Sequence, residues 1–179
     1  MRNKSQASGV LENKEVFMEK MQHYILFALA GTTYAVPSAE VQQMDMVEQI
    51  TPVPNAPAAV EGVVFLRGQV IPAVNLRVRF GFPKVDYDLK TRLIVVRKGN
   101  RSVGLIVDTA REFVSIPDAA IEPPPEGISN LSGRYLAGIA TVGERLVLLL
   151  NCDEVINPAD MAAVASQDAK IQEGEDHEK

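Results

Sequence analysis

Few residues of this chain could do chemistry, and those few are not grouped in a metal-binding pattern. The two histidines are His23, just before the first apolar run, and His177, in the C-terminal tail. The single cysteine, Cys152, follows the apolar run LVLLL, where a buried and unreactive thiol is expected. Nowhere do histidine, cysteine and carboxylate side chains have the spacing of metal ligands. The sequence therefore predicts no metal site.

Two pairs of carboxylates are the remaining candidates for catalysis. Asp86 and Asp88 flank a tyrosine in a polar stretch, and Asp108 and Glu112 bracket a turn. A general acid needs an apolar environment that raises its pKa, whereas these surroundings favour solvated carboxylates. The glycine patterns of phosphate-binding loops, dinucleotide-binding folds and serine hydrolases are also missing. We therefore expect a protein that is not an enzyme and needs no cofactor.

Composition restricts the class of partner. The net charge is −5, and the last 12 residues carry five acids against two lysines. With no tryptophan and no basic cluster, binding to nucleic acid is disfavoured. A single cysteine fits a reducing compartment, the N-terminus lacks a signal peptide, and no apolar run could span a bilayer. These features predict a cytoplasmic protein with no direct membrane insertion.

Many short apolar runs separated by glycine and proline turns predict an all-β fold. The polar stretch 81–90 is the clearest internal boundary, so we expect two barrels of about five strands each. The predicted strands cover residues 24–29, 33–36, 60–66, 92–97, 103–108, 112–116, 135–140 and 146–150.

Other segments carry weaker local signals. Residues 1–21 form a polar leader in which a short helix over 12–22 is possible. Ser38 could cap a helical turn over 39–42, before an irregular apolar segment. A helix over 158–167, capped by Asn157, precedes an acidic disordered tail over 168–179.

The stretch GVVFLRGQVIPAVNLRVRFG, residues 62–81, organises the chain. Val63 to Leu66 are expected to be buried, and a further extended run is expected from Asn75. Arg67 and Gly68 form the turn, for which we expect type I geometry closed by a glycine bulge. Because Arg67 is a charged side chain at the tip of a rigid hairpin, it is a candidate for recognition. Val41, Met44 and Met46, with Ala56, Pro57, Ala59 and Val60, could form an apolar groove beside it.

Three motifs in close succession resemble the CheW family of bacterial chemotaxis coupling proteins. They are P-N-A-P at residues 54–57, G-V-V-x-L-R-G at 62–68 and P-x-V-N-L-R at 72–77. The resemblance extends over about residues 24–156. It implies a non-catalytic domain over 22–157, built of two five-stranded SH3-like barrels that share a hydrophobic seam. The first barrel would cover about 32–84, and the second would combine about 22–30 with 88–157.

The resemblance also implies partners. They are the cytoplasmic tip of a chemoreceptor (a methyl-accepting chemotaxis protein) and the regulatory domain of the histidine kinase CheA. An adaptor of this kind would be recruited to membrane-associated receptor arrays. The receptor groove would lie between the barrels and use Val41, Gln43, Asn55, Arg67 and Gly68. The kinase contacts would include Gly104, Val107, Asp108 and Glu112.

Two positions depart from the family pattern. Gln43 stands where many members carry an acid, which removes a possible charge partner at the groove. Asn75 replaces a frequent aspartate and keeps its hydrogen-bonding shape without the charge. Two alternatives remain open on the sequence: a flavin-dependent reductase built on a split β-barrel, and a small-barrel nucleic-acid binder.

Overall fold

The computed structural model describes residues 18–128 and 133–159, which form two five-stranded β-sheets. The all-β prediction is confirmed. Helices of one turn follow two of the strands: α1 at Leu76–Arg79 and α2 at Cys152–Val155. The strands are β1 Met21–Leu29, β2 Thr32–Pro37, β3 Val41–Met46, β4 Val60–Leu66, β5 Gln69–Asn75, β6 Arg92–Lys98, β7 Arg101–Val107, β8 Thr109–Pro117, β9 Leu136–Val142 and β10 Arg145–Leu150.

Sheet 1 has the strand order β8-β1-β2-β10-β9, and sheet 2 has the order β3-β6-β7-β5-β4. Their pairs are antiparallel, except for β10 with β2 and β5 with β7, which are parallel. In each sheet the two edge strands are tied together at one point. Thr51, after β3, bridges Val63 on β4, and Glu122, after β8, bridges Ile139 on β9. These two bridges are consistent with the predicted SH3-like architecture.

The strands pack around three apolar clusters. Successive side chains of a strand point to opposite faces of its sheet, and the inner strands bury residues on both faces. One face of each sheet covers its own core, with Leu26 and Leu149 in sheet 1 and Ile71 and Leu93 in sheet 2. The opposite faces meet in a shared seam, which confirms the predicted one. The seam includes Phe27, Leu29, Tyr34 and Val36 from sheet 1 and Val74, Ile94, Val96, Leu105 and Val107 from sheet 2.

The strand pairings divide the chain differently from the predicted barrel boundaries. Strand β2 pairs with β1 and β10, so it belongs to sheet 1 and not to the barrel predicted over 32–84. Strands β6 and β7 belong to sheet 2, because they pair with β3 and β5. The polar stretch 81–90 therefore connects α1 to β6 within one sheet. Hydrophobic pattern reveals each hairpin, but long-range pairing decides which sheet the hairpin joins.

Three local predictions are wrong. Val41–Met46 is a strand, and the helical turn before it is a 3₁₀ turn over Ser38–Glu40 that lacks a side-chain cap. The extended run expected from Asn75 is the helix α1, since Asn75 Oδ1 accepts a hydrogen bond from the Val78 N–H at 3.3 Å. Pro72 is accommodated on the inner strand β5, next to a bulge at Val60 and Gly62, because the backbone groups of its partner Val63 bond to Thr51.

Some of the predictions for the N- and C-terminal segments fall on described residues. Strand β1 begins at Met21, so a helix reaching residue 22 is wrong, while residues 1–17 lie outside the described part. Asn157 Oδ1 accepts the Ala159 N–H at 3.1 Å, a bond that an N-cap side chain makes. The rest of the 158–167 helix and the tail lie outside the described residues. Within residues 18–128 and 133–159, no helix is long and apolar enough to cross a membrane.

The chain crosses between the sheets twice, and an acid holds each crossing. Between β2 and β3, Glu40 lies 2.6 Å from Lys98 Nζ, which also contacts Asp153 at 3.3 Å. Between β7 and β8, Asp108 accepts two hydrogen bonds from Arg77, at 2.7 and 2.6 Å. Charge-assisted hydrogen bonds of this length limit the movement of the two crossings. They help to hold the two sheets in one relative position.

Candidate functional site

A groove of about 660 Å³ opens between the two edge strands of sheet 2. Strands β3 and β4 are tied together at Thr51 and Val63, and the groove lies beside this bridge. We call it the edge groove. It is lined by Gln43, Asp45, Met46, Glu48, Gln49, Thr51, Val64, Phe65, Leu66, Arg67 and Leu93.

The edge groove has an apolar interior. Val64 and Leu93 are buried at its base, where they belong to the core of sheet 2. Met46 and Phe65 line it with large exposed surfaces, and the Phe65 side chain is 73% exposed. The expectation that Phe65 is buried is therefore wrong. Apolar side chains exposed beside a concave surface are typical of a protein-binding site.

Charges of both signs surround this interior. Arg67 lines one side, and Asp45 and Glu48 line the other. Gln43 Nε2 donates a hydrogen bond of 2.6 Å to Asp45 Oδ2. Residue 43 is not an acid in this chain, but Asp45, two residues further along β3, supplies a carboxylate to the groove. The edge groove could therefore bind a segment that carries both an acid and a base beside apolar side chains.

Arg67 has an unfavourable backbone conformation. Its φ is +47°, and φ at Gly68 is +79°, in a two-residue loop closed by the pair Leu66 and Gln69. Positive φ at both central residues is the mark of a type I′ turn, so the predicted type I turn with a bulge is wrong. A left-handed conformation costs a residue other than glycine about 1–2 kcal/mol. The arginine is therefore not explained by the needs of the turn.

The other sheet contains the corresponding hairpin with glycine at this point, although Glu144, the second residue of its turn, does not share the positive φ of Gly68. Residues 62–76 and 138–152 align without a gap, and each segment runs from a glycine through two strands to an asparagine before a one-turn helix. Gly143, with φ +62°, occupies the position of Arg67. This repeat was not predicted, although the equal spacing from Gly62 to Asn75 and from Gly138 to Asn151 is a signal for it in the sequence.

The structure brings together two of the five predicted receptor-binding residues. Gln43 and Arg67 both line the edge groove. Gly68 lies beside Arg67 in the turn, whereas Val41 packs against the seam between the sheets. Asn55 is exposed in the connection before β4, with φ +56°. The edge groove lies within sheet 2 and not between the two halves, because the shared seam already fills the space between the sheets.

Three of the four predicted kinase-binding residues have a role in the fold: two are buried, and the third holds a crossing between the sheets. Val107 is 1% exposed in the seam, and Gly104 is buried against the side chain of Leu93. Asp108 belongs to the crossing: besides its bonds with Arg77, it accepts the Ala30 N–H at 3.0 Å. Burial raises the pKa of the Asp108 carboxyl, but these hydrogen bonds outweigh it, so the pKa lies below its ordinary value.

Glu112 is the predicted kinase-binding residue with an exposed side chain. Its carboxylate forms two hydrogen bonds with Arg145, at 2.8 and 2.6 Å. These bonds hold the pKa of Glu112 below its ordinary value. The large apolar side chains of Phe113 and Leu146 are exposed next to the two members of this ion pair in sequence. Sheet 1 therefore presents a second candidate surface, separate from the edge groove.

Asn75 has a structural role that explains the departure from aspartate. The residue is 2% exposed, and its Nδ2 donates to Glu61 Oε1 at 3.1 Å and to Tyr87 Oη at 3.2 Å. Lys84 Nζ lies 2.7 Å from the other Glu61 oxygen. Burial, followed by the charge of Glu61, raises the pKa of Tyr87 to about 12. An aspartate in place of Asn75 would bring a second carboxylate against Glu61.

Residues that could hold a metal or act as nucleophiles do not form a site in the described part of the chain. No group of three or more histidine, cysteine and acidic residues is arranged to bind a metal ion within residues 18–128 and 133–159. Cys152 is buried, as predicted, and burial raises the pKa of its thiol. A neutral buried thiol is a poor nucleophile.

Comparison with known proteins agrees with the fold and the motifs. Residues 23–160 match the family model of the CheW-like domain. A chemotaxis protein CheW from Klebsiella aerogenes is 34% identical over 143 residues, which cover 80% of this chain and 86% of that protein. Protein FrzA of Myxococcus xanthus is 30% identical over 146 residues, covering 80% of this chain and 91% of the relative.

A solved structure supports the same relationship. The crystal structure of the scaffolding protein TtCheW from Thermoanaerobacter tengcongensis superimposes with a TM-score of 0.69 at 30% identity. It covers 74% of this chain and 90% of the TtCheW chain. These matches give no support to a flavin-dependent reductase. The chain belongs to the CheW-like domain family and is a non-catalytic adaptor of chemotaxis signal transduction.

Proposed function

We propose that the edge groove binds the cytoplasmic tip of a chemoreceptor, while sheet 1 contacts the regulatory domain of the kinase CheA. The observation that carries the proposal is Arg67. It adopts a left-handed conformation at a turn where the repeated hairpin uses Gly143, and its side chain lines an exposed apolar groove. Strained residues tend to cluster at binding sites, where the contact justifies the strain.

The apolar and charged side chains of the edge groove would suit an amphipathic helix as ligand. Met46 and Phe65 would take the apolar face of the helix, whose anchors recur every three or four residues. Arg67 would pair with an acid of the receptor, and Asp45 and Glu48 would face its basic residues. Gln43 would act through its hydrogen bond to Asp45, which holds that carboxylate at the groove.

The kinase surface would lie around Glu112 and its partner Arg145. With the receptor on sheet 2 and the kinase on sheet 1, both partners could bind at the same time. The crossings held by Glu40 and Asp108 would then keep receptor and kinase in a fixed relative geometry. A small movement of the receptor could bias the kinase between active and inactive states. This arrangement would recruit the adaptor to receptor arrays at the membrane.

The test is a binding measurement with a soluble receptor fragment that contains the helical tip. Replacing Arg67→Glu reverses the charge at the edge groove and keeps a long side chain at the turn. We expect binding to weaken about tenfold, equivalent to about 1.4 kcal/mol. Arg111→Glu is the matched control, since Arg111 is also exposed but lies on β8 in sheet 1.

The control variant is expected to bind the receptor fragment like the unmodified protein. A Glu112→Arg variant is expected to bind the receptor fragment normally and to lose affinity for the kinase regulatory domain. Equal receptor affinities for Arg67→Glu and Arg111→Glu would remove the edge groove from the receptor site. Unchanged kinase binding by Glu112→Arg would remove the surface on sheet 1.

A further inference from the structure

A second groove of about 680 Å³ lies along the start of β5 and the turn between β6 and β7. We call it the arginine groove. Its described lining contains two arginines and no acid, in contrast to the edge groove. The lining residues are Gln69, Val70, Ile71, Pro72, Arg97, Asn100, Arg101, Ser102, Val103, Ile156 and Pro158.

The two arginines are available to a ligand. Arg97 and Arg101 are exposed, and no ion pair among the described residues involves either of them. Arg97 Nε donates to the carbonyl of Gly99 at 3.0 Å, which leaves its terminal nitrogens free to bind an anion. The intervening Lys98 is occupied by Glu40 and Asp153. The groove therefore has a positive charge that the described part of the chain does not neutralise.

The apolar part of the arginine groove is also uncovered. Val70 is 67% exposed, although it belongs to a central hairpin of sheet 2. Val70 is the direct cross-strand partner of Phe65. A ligand for this groove should therefore combine apolar side chains with acids.

The C-terminal segment of this chain has that composition and begins at the groove. Ile156 and Pro158 line the groove, and twenty residues, 160–179, continue beyond the described part. This segment contains the apolar residues Met161, Val164 and Ala165. Five acids follow within residues 168–179. Twenty residues can extend over roughly 66 Å, so length does not prevent their return to the groove.

We propose that residues 160–179 fold back over the arginine groove of their own chain. The apolar residues at the start of the segment would cover Val70 and Pro72, and the acids would pair with Arg97 and Arg101. The occupied groove would support the hairpin that carries Phe65 and Arg67 from the β5 side. This inference does not depend on the identity of the receptor or the kinase.

The test uses the full chain with a nitroxide spin label at Ser166→Cys. The native Cys152 is buried, so the label attaches selectively to the introduced thiol. We expect the amide signals of Val70 and Arg101 to lose most of their intensity through paramagnetic relaxation. Amides of Glu112 and Leu146, on sheet 1, serve as the reference and are expected to keep theirs.

Two double variants show whether the tail stays near the groove because its acids pair with the arginines or only because it is attached nearby. Arg97→Glu with Arg101→Glu is expected to restore the Val70 signal, whereas Arg97→Lys with Arg101→Lys is expected to leave it attenuated. The amide spectrum of each variant shows directly whether the sheets remain folded. Full signals at Val70 and Arg101 in the labelled parent protein would overturn the proposal, as would equal attenuation in the Glu and Lys variants.

A mixed sample distinguishes the chain's own tail from that of a second copy. Spin-labelled protein at natural isotope abundance is mixed with ¹⁵N-enriched protein that carries no spin label. Any loss of amide signal must then come from the spin label of another molecule. We expect no loss of intensity in this mixture. Attenuation at Val70 and Arg101 there would assign the groove to the tail of a neighbouring copy and overturn the intramolecular proposal.

Discussion

Sheet 1 and sheet 2 are two versions of one architecture with different surfaces. Their strand orders correspond one to one, with β8, β1, β2, β10 and β9 in the places of β3, β6, β7, β5 and β4. Each has one parallel pair at the same place and one bridge between its edge strands. In both, an isoleucine precedes the bridging residue, and a proline follows it.

The two hairpins differ where the architecture does not require a particular residue. Gly62 and Gly138 precede the bridged residues, and Asn75 and Asn151 precede the one-turn helices. At the tip, however, sheet 2 has Arg67 where sheet 1 has Gly143. The shared residues maintain the fold, so those that differ despite a conformational cost are the better candidates for binding. The predictions below test this division.

The largest expected difference concerns the glycines at the two bridges. A Cβ at Gly62 would overlap the carbonyl oxygen of Thr51, and φ there is +146°. At Gly138 the nearest atoms are Cγ2 of Ile121 at 2.8 Å and the carbonyl oxygen of Glu122 at 3.1 Å, so the overlap is smaller and positive φ adds no strain. We expect Gly62→Ala to lower the free energy of unfolding by about 3 kcal/mol and Gly138→Ala by about 1–2 kcal/mol.

Urea denaturation of the two variants, followed by circular dichroism, measures both values. If Gly62→Ala fails to fold in buffer alone, both alanine variants are titrated with urea in the presence of a stabilising osmolyte, which gives the comparison under equal conditions. Equal losses for the two sites would show that backbone strain adds nothing at Gly62, so that the two bridges are equivalent in energy as well as in topology.

The second prediction concerns the asparagines that precede the one-turn helices. Asn75→Asp places a carboxylate against Glu61 and removes the amide donor, so we expect a loss of about 2 kcal/mol in unfolding free energy. Adding Glu61→Gln should restore most of it, because an amide can bond to the new carboxylate. Asn151 makes no side-chain capping bond, and Asn151→Asp is the matched control, expected to change stability by less than about 0.5 kcal/mol.

A double-mutant cycle over Glu61 and Asn75, measured by urea unfolding, isolates their interaction. An additive cycle, with no rescue by Glu61→Gln, would contradict the assignment of Asn75 as the neutral partner of the partly buried Glu61.

The smallest expected effect has the opposite sign. Arg67→Gly relieves the left-handed conformation, partly offset by the greater freedom of glycine in the unfolded chain. We expect the unfolding free energy to rise by about 0.5–1 kcal/mol while receptor affinity falls. The reciprocal change, Gly143→Arg, should lower stability by a similar amount without affecting receptor binding.

Thermal unfolding and binding to the receptor fragment, measured on the same samples, test this trade-off. A less stable Arg67→Gly variant would show that the arginine supports the turn, which would remove the strain argument for a binding role.

Much of the local structure was predictable because it depends on neighbouring residues. The hairpins around Arg67, Gly99 and Gly143 follow from apolar runs interrupted by turn residues. The predicted cap at Asn157 depends on a contact two residues away. The capping role of Asn75 is also local, since its side chain accepts the Val78 N–H, but the sequence predicted an extended run there. The contacts of Asn75 with Glu61 and Tyr87 depend on the fold, which alone brings these residues close.

The sequence by itself determined the all-β class, the tight turns, the buried cysteine and the motifs of the CheW-like family. Their causes are local: alternating hydrophobicity, turn chemistry and short motifs act over a few residues. Only the tertiary structure decided that β2 joins β10, that Gly104 and Val107 are buried, and that Phe65 lies exposed beside Arg67 in a groove. These outcomes depend on pairings between distant segments, and alternation along one strand cannot show which of its two faces another sheet will cover.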